Sequence, residues 1–328
     1  MTAVDRSDLV ESLLARMTLD QKLGQMTQPE RQHITPAEVA AYHIGSVLSG
    51  GGSWPGENRP GDWVAMNDAY WAASMEAGDG RIPIPLLYGV DAVHGHNNVL
   101  GAVLFPHNIG LGAADDPALI ERIARVTARE VLATGVEWTF APTLAVGRND
   151  HWGRTYESYS EDPDVVSGYA GAFVRGLQGD LGRDSVVACA KHWVGDGGTN
   201  HGIDQGETDI PEEELRRLHI APYRPAVDAG ALTVMASYNS WNDVKCHANR
   251  YLLTDVLKGE LGFDGFVVSD WDAIDQLADD YGEAIRLSVN AGVDMFMVPD
   301  KWKRFLADLK AEVEAGRVPM ELIDDAVR

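Results

Sequence analysis

Residues 162–193 read DPDVVSGYAGAFVRGLQGDLGRDSVVACAKHW. Asp162 followed by Pro163 is an N-cap followed by a first helical residue. Val166, Tyr169, Phe173, Val174 and Leu177 then recur at helical spacing along one side, and Gly179 supplies the stop. After a short polar link the pattern changes to an almost continuous apolar run, 185–193, ending on Lys191, His192 and Trp193. A helix leading into a strand with no polar face is one unit of a parallel sheet, because such strands are covered on both sides.

Working outward, Asp116-Pro117 repeats the device upstream, with Ile120, Ile123, Val131 and Leu132 on the buried face and Gly135 at the close. Seven further β-rich runs stand at 23–28, 44–49, 84–91, 136–142, 231–239, 265–271 and 295–299. Strand–helix alternation with right-handed crossovers implies an α/β fold with a parallel sheet. Eight strand units within 328 residues favour one closed (β/α)8 TIM barrel over an open doubly wound sheet. No G-x-G-x-x-G or Walker loop follows a run, which counts against nucleotide binding. Residues 1–328 are therefore read as a single barrel domain. The amphipathic pattern opening at Pro319 runs to Arg328 without a C-cap signal, so a continuation of the chain is expected.

With 27 Lys+Arg against 50 Asp+Glu, the formal charge is −23. Such a surface repels phosphate backbones and anionic membranes, so neither nucleic acid nor a membrane is an expected partner. Cys189 and Cys246 leave room for one bridge at most. Asp5, Arg6, Asp8, Glu11 and Arg16 interrupt the early leucines, and no long apolar window follows. A cytoplasmic location is the expectation, or a periplasmic or secreted one if a leader has been removed.

In a barrel, side chains at the C-terminal ends of the strands meet at one mouth. Those ends carry Asp91, then Lys191-His192-Trp193, Ser237-Tyr238-Asn239 and Ser269-Asp270-Trp271, with Arg154 in the segment after the fourth run. Each has a structural alternative. Asp270 can cap the helix near Ala273, Asp91 can brace a loop, and Lys191 can pair with a carboxylate. His192 can be a core histidine, and Arg154 can tie down its own Glu-rich segment. Trp54, Trp152, Trp193 and Trp271 can be packing residues. The alternatives would have to hold at five strand ends together. Carboxylates, cations and aromatic faces in one place suit a sugar, whose hydroxyls need hydrogen bonds and whose apolar face needs stacking. A charge-paired carboxylate stays ionised and can attack an anomeric carbon. A rival reading takes His94-Gly-His96 with His107, Lys191, His192, His201 and Asp270 as a divalent metal site. Another takes the chain as a sugar-binding fragment with little turnover.

The blocks YGVDAVHG (88–95), GRTYESYSEDP (153–163), CAKHWVGDGGT (189–199), VMASYNSWNDVKCHANRYLLTD (234–255) and GFVVSDWDAI (265–274) resemble glycoside hydrolase family 3, in its β-glucosidase and exo-β-glucanase branch. The resemblance runs along nearly the whole chain in family order. It implies a (β/α)8 barrel as the first of two or more domains, with no cofactor, acting on β-glucosides and β-gluco-oligosaccharides. Carried over by position, Asp270 matches the nucleophile of a retaining reaction. Asp91, Arg154, Lys191, His192 and Tyr238 match glucose-binding residues, Met235 a pocket lining, and Trp271 one wall of an aromatic clamp. The resemblance places the general acid/base Glu on a C-terminal α/β sandwich domain outside this chain. It therefore implies weak activity of the isolated barrel on cellobiose-like substrates. The β-N-acetylglucosaminidase branch keeps a His–Asp acid/base after the KH block, where this chain has Asp196, which argues against that chemistry. β-Xylosidase specificity stays open. Gln205 stands where relatives often carry a carboxylate, with His201, Asp204 and Glu207 nearby.

Overall fold

The structure, a computed structural model, describes residues 7–78 and 80–328; Asp5 and Arg6, weighed above against a leader, lie outside them. Eight short strands line up in chain order: β1 (Thr27–Gln28), β2 (Ser46–Ser49), β3 (Leu87–Val90), β4 (Trp138–Thr139), β5 (Val187–Trp193), β6 (Thr233–Ala236), β7 (Phe266–Val268) and β8 (Phe296–Met297). From β2 to β7 they form one parallel ladder, and β1 pairs in parallel with β8. Parallel bridges Glu30–Leu48 and Val268–Met295 join the two pieces at both seams, so the ring closes. Helices return the chain between strands on the outside, among them Pro60–Ser74, Pro117–Leu132, Pro163–Gln178, Tyr251–Glu260 and Tyr281–Ala291. This is the (β/α)8 barrel expected.

Two apolar clusters explain why the strands read as continuous apolar runs. Leu48, Trp138, Phe140, Cys189, Met235, Val268, Met295 and Met297 fill the barrel interior. Their alternate neighbours Val47, Val90, Ala188, Val234, Val267 and Phe296 face outward onto helix residues such as Phe173, Val256, Ile285 and Phe305. Successive residues of a strand point to opposite faces, and here both faces are dry. Both cysteines are buried free thiols.

The Asp-Pro signals hold. Asp116 accepts from the Leu119 N–H at 2.9 Å, Asp162 accepts from the Asp164 N–H at 2.9 Å, and Gly179 caps the second of these helices. The run at 23–28 requires a correction: Leu23 belongs to the helix Leu19–Gln25, and only Thr27–Gln28 is strand. A capping box between Thr18 and Gln21 starts that helix, and such local satisfaction of free N–H groups outweighs the β character of a short run.

The helices Pro117–Leu132 and Pro163–Gln178 touch at Gly176, where an added Cβ would lie 2.5 Å from the Glu121 carbonyl oxygen and 2.5 Å from Ala124 Cβ. Helix propensity alone would make Gly176→Ala stabilising by about 1 kcal/mol. The steric conflict with backbone reverses the sign, and overpacking costs about 1–3 kcal/mol. Urea unfolding of G176A is expected to show a lower midpoint than wild type; a higher one would mean the helices separate freely.

Candidate active site

The period-two alternation of a strand aims the mouth. Val268 lies inside the barrel with Phe266 packed against the same cluster, so Asp270, two residues on, continues that face beyond the end of β7. The same count carries Leu87 and Gly89 to Asp91 on β3, and Val187 and Cys189 to Lys191 on β5. Strict alternation would send His192 outward. The β5–β6 register shifts between Ala190 and Trp193, and such a bulge re-aims a side chain, so Lys191 and His192 both serve the mouth. Met235 on β6 lies beneath them, buried opposite Val268.

Charges alternate around the opening. Lys191 Nζ donates to Asp91 Oδ1 at 2.6 Å. Arg154 grips Glu157 with two bonds, Nε to Oε1 at 2.7 Å and Nη2 to Oε2 at 2.9 Å. Arg154 Nη2 also reaches His192 Nε2 at 3.1 Å, and since a guanidinium only donates, that nitrogen is the acceptor. His192 Nδ1 then donates to Asp196 Oδ2 at 2.8 Å. Asp270, 9% exposed, lies 3.7 Å from His192 Nε2 through Oδ2. Its Oδ1 accepts from the Trp271 N–H at 2.7 Å, whereas Oδ2 has no hydrogen-bond partner among the described residues.

Burial and pairing oppose each other here. Burial raises the Glu157 carboxyl, but the Arg154 guanidinium outweighs it and brings the pKa down to about 2. Burial disfavours the Lys191 ammonium, yet Asp91 and Glu157 hold its pKa above the ordinary value. Burial likewise opposes the Arg154 charge, and Glu157, Asp196 and Asp270 more than restore it.

Aromatic residues divide by exposure. Trp152 and Trp193 are buried, their indole N–H groups donating to Asp204 Oδ1 and to the Leu252 carbonyl, while Trp54 (48% exposed) and Trp271 (39%) stand open at the rim. Gly50 lies under Trp271, where a Cβ would come within 2.7 Å of Cζ3. The Tyr238 hydroxyl donates to the Trp271 carbonyl oxygen. Lys245 ties three mouth loops by donating to the carbonyls of Gln205 (3.1 Å) and Tyr238 (2.9 Å) and to Gln276 Oε1 (2.9 Å). Gln205 is thus engaged by Gln276 and Lys245, and Glu207 accepts from the Asp243 N–H at 3.0 Å.

The His-x-His pair separates. His96 is buried against Trp63 and bonds Thr134 Oγ1, whereas His94 bonds the Phe105 carbonyl and stacks on His107. Among the described residues no group of three His, Cys, Asp or Glu side chains is disposed to hold a metal ion. A cavity of about 810 Å³ lies at the opposite end, under the strand starts at Leu87, Val187 and Phe266, where Lys258 already pairs with Asp294. No helix among the described residues is long and apolar enough to cross a membrane. The sequence reading that Arg154 ties down its own Glu-rich segment holds, with Glu157, three residues on, as the partner. Sequence reasoning missed His247, whose Nε2 accepts the Asp270 N–H at 3.0 Å.

A parallel barrel with paired carboxylates and cations at its mouth, rimmed by exposed indoles, has the groups that sugar hydroxyls and an apolar sugar face require. Residues 18–328 match the Glycosyl hydrolase family 3 N terminal domain, and the chain belongs to that family. It is 35% identical to a lysosomal beta glucosidase of Dictyostelium discoideum, over 98% of this chain and 43% of that protein. Among solved structures, an exo-1,3/1,4-beta-glucanase of a Pseudoalteromonas species superposes with a TM-score of 0.93 at 50% identity, over 98% of this chain and 41% of that one. A mutant beta-glucosidase of Listeria innocua in complex with laminaribiose gives 0.84 at 30%, over 98% and 45%. The chain spans about two fifths of the curated relatives it matches.

The depressed Glu157 pKa fixes a pH dependence. Between about pH 2 and the unfolded value near 4.3 the unfolded state holds a proton that the folded state lacks, so stability rises with pH there. The contribution is full above that window and lost as pH falls through it. Unfolding free energies of wild type and Glu157→Gln, measured by urea between pH 3 and 6, are expected to converge toward the acid end. A constant gap would place the Glu157 effect outside its ionisation.

Proposed function

We propose that this chain is the catalytic barrel of a retaining, exo-acting β-glucosidase or β-glucan exohydrolase that releases terminal non-reducing β-D-glucosyl residues. The observation carrying this is the Asp270 carboxylate, with one oxygen fixed by the Trp271 N–H and the other buried and unpartnered beside His192. A nucleophile needs this division: one oxygen sets the orientation and the other keeps its lone pairs for the anomeric carbon. Oδ2 forms the new C–O bond as the glycosidic oxygen departs with a proton, and water later cleaves the glycosyl ester with retention.

The remaining groups fit a pyranose. Asp91 accepts and Lys191 donates toward its hydroxyls, with His192 and Arg154 behind them, while Met235 lies beneath and Tyr238 closes one side. Trp271 offers a stacking face to the next sugar. The glucosidase and exo-glucanase names of the relatives support glucose as the sugar removed.

The proton donor in this reading is a Glu of a second domain. Supporting it, three carboxylates at the mouth are already paired: Asp91 with Lys191, Glu157 with Arg154, and Asp196 with His192. A carboxyl held near pKa 2, as Glu157 is, is a poor acid at neutral pH.

Incubation with 2-deoxy-2-fluoro-β-D-glucosyl fluoride, whose leaving group needs little protonation, is expected to add one fluoroglucosyl unit to the 265–274 region, at Asp270. Asp270→Ala is expected to take no label. A label on another residue, or none on folded protein, would overturn the assignment. Because general acid catalysis is worth about 10²–10⁴-fold, the isolated chain is expected to turn over a dinitrophenyl β-glucoside while cellobiose hydrolysis stays lower by that order. Cellobiose turnover matching the aryl substrate, and abolished by Glu207→Gln, would move the acid onto the barrel.

A further inference from the structure

We infer that His247 is a positioning residue for the nucleophile, acting as a side-chain rung that replaces the backbone ladder between β6 and β7 at the height of Asp270. The inference rests on the reading of Asp270 given above and extends it to a residue outside the sugar pocket.

The ladder between these strands runs Phe266–Thr233, Val267–Val234 and Val268–Met235, and stops there. Continued in register, it would set Asp270 opposite Ser237 and turn the Asp270 N–H toward the β6 backbone. The N–H instead donates to His247 Nε2 at 3.0 Å, and the ring also hydrogen-bonds the Ser237 backbone. The imidazole thus occupies the place of one rung and holds the strand ends apart.

On its other side the segment is held by β8. The Ser269 and Asp272 N–H groups donate to the carbonyls of Met295 (2.9 Å) and Met297 (3.1 Å), and Ser269 Oγ accepts from the Met297 N–H at 2.9 Å. Asp270 is therefore braced from both neighbours, and His247 supplies the β6 side.

The ring is equipped for this task. It is buried, 1% exposed, on the short turn Cys246–Ala248, which is itself fixed by the Cys246 N–H donating to the Asn239 carbonyl at 3.0 Å. Accepting an N–H requires Nε2 to be unprotonated, so the proton sits on Nδ1. Burial pushes the His247 pKa down to about 3, which keeps that form populated across the neutral range. Removing the ring leaves a buried Asp270 N–H without its acceptor and frees the strand end to close toward β6. The carboxylate then leaves the line of attack, and a displacement on the order of 1 Å can cost about 10²-fold in rate.

The test compares wild type, His247→Ala and His247→Gln in the fluoroglucosyl fluoride reaction, separating the rate at saturating reagent from the apparent Kd, with amide exchange of the Asp270 N–H read alongside. H247A is expected to label about 10²-fold more slowly with a Kd within about threefold of wild type, and to exchange the Asp270 amide faster. Gln offers both an acceptor and a donor, so H247Q is expected to recover most of the rate and of the protection. Labelling of H247A at the wild-type rate would overturn the proposal. So would equal losses of affinity and rate in both variants, which would assign His247 to folding alone. Failure of wild type to label at Asp270 would instead strike the nucleophile reading, and the exchange data would still decide whether His247 holds that N–H.

Discussion

Everything at the mouth depends on the parallel ladder closing on itself between β1 and β8. Closure makes an inside, and an inside turns the two-residue period of each strand into a sorting rule. Residues at one parity fill the interior with Trp138, Phe140, Met235 and their neighbours; those at the other carry the helices. Once the apolar stack is complete, the next inward positions have no core left to join. They are Asp91, Lys191 and Asp270, and the floor on which they stand is the hydrophobic packing below them.

That floor creates an electrostatic problem that the side chains solve among themselves. Charged groups standing on a dry core lose hydration, and isolated ones would give up their charge. Asp91 meets Lys191, Glu157 meets Arg154, and Asp196 meets His192. In a chain of net charge −23, cations are gathered where carboxylates must stay ionised. Asp270 differs from these three carboxylates because, among the described residues, no cation or imidazole hydrogen-bonds it: Oδ1 takes the Trp271 N–H, and Oδ2 lies 3.7 Å from His192 Nε2.

The barrel was legible because its signals are local. Asp116-Pro117 and Asp162-Pro163 announce helix starts within four residues, and continuous apolar runs announce strands covered on both faces. The mouth residues were legible from strand ends together with the family blocks. What escaped lies in contacts that close over distance or reverse a local cue. Leu23 read as strand although the Thr18–Gln21 box had already begun a helix. His94 and His96 read as a pair although the chain sends them apart, to Phe105 and Thr134. His247 bonds a backbone group 23 positions away, and no spacing rule marks such a bond.

Gly50 has a consequence of its own. The segments that follow β2 and β7 meet where this residue, lacking a side chain, lets the Trp271 indole settle against bare backbone. Under the function proposed above, the width of the cleft beyond the first sugar would be governed from a position with no chemistry to offer. Changing the bulk at residue 50 would tilt an aromatic wall while leaving Asp270 and its charged neighbours untouched. On that same proposal, chain-length and linkage preference would drift independently of the bond-breaking residues, through a residue that no catalytic motif would flag.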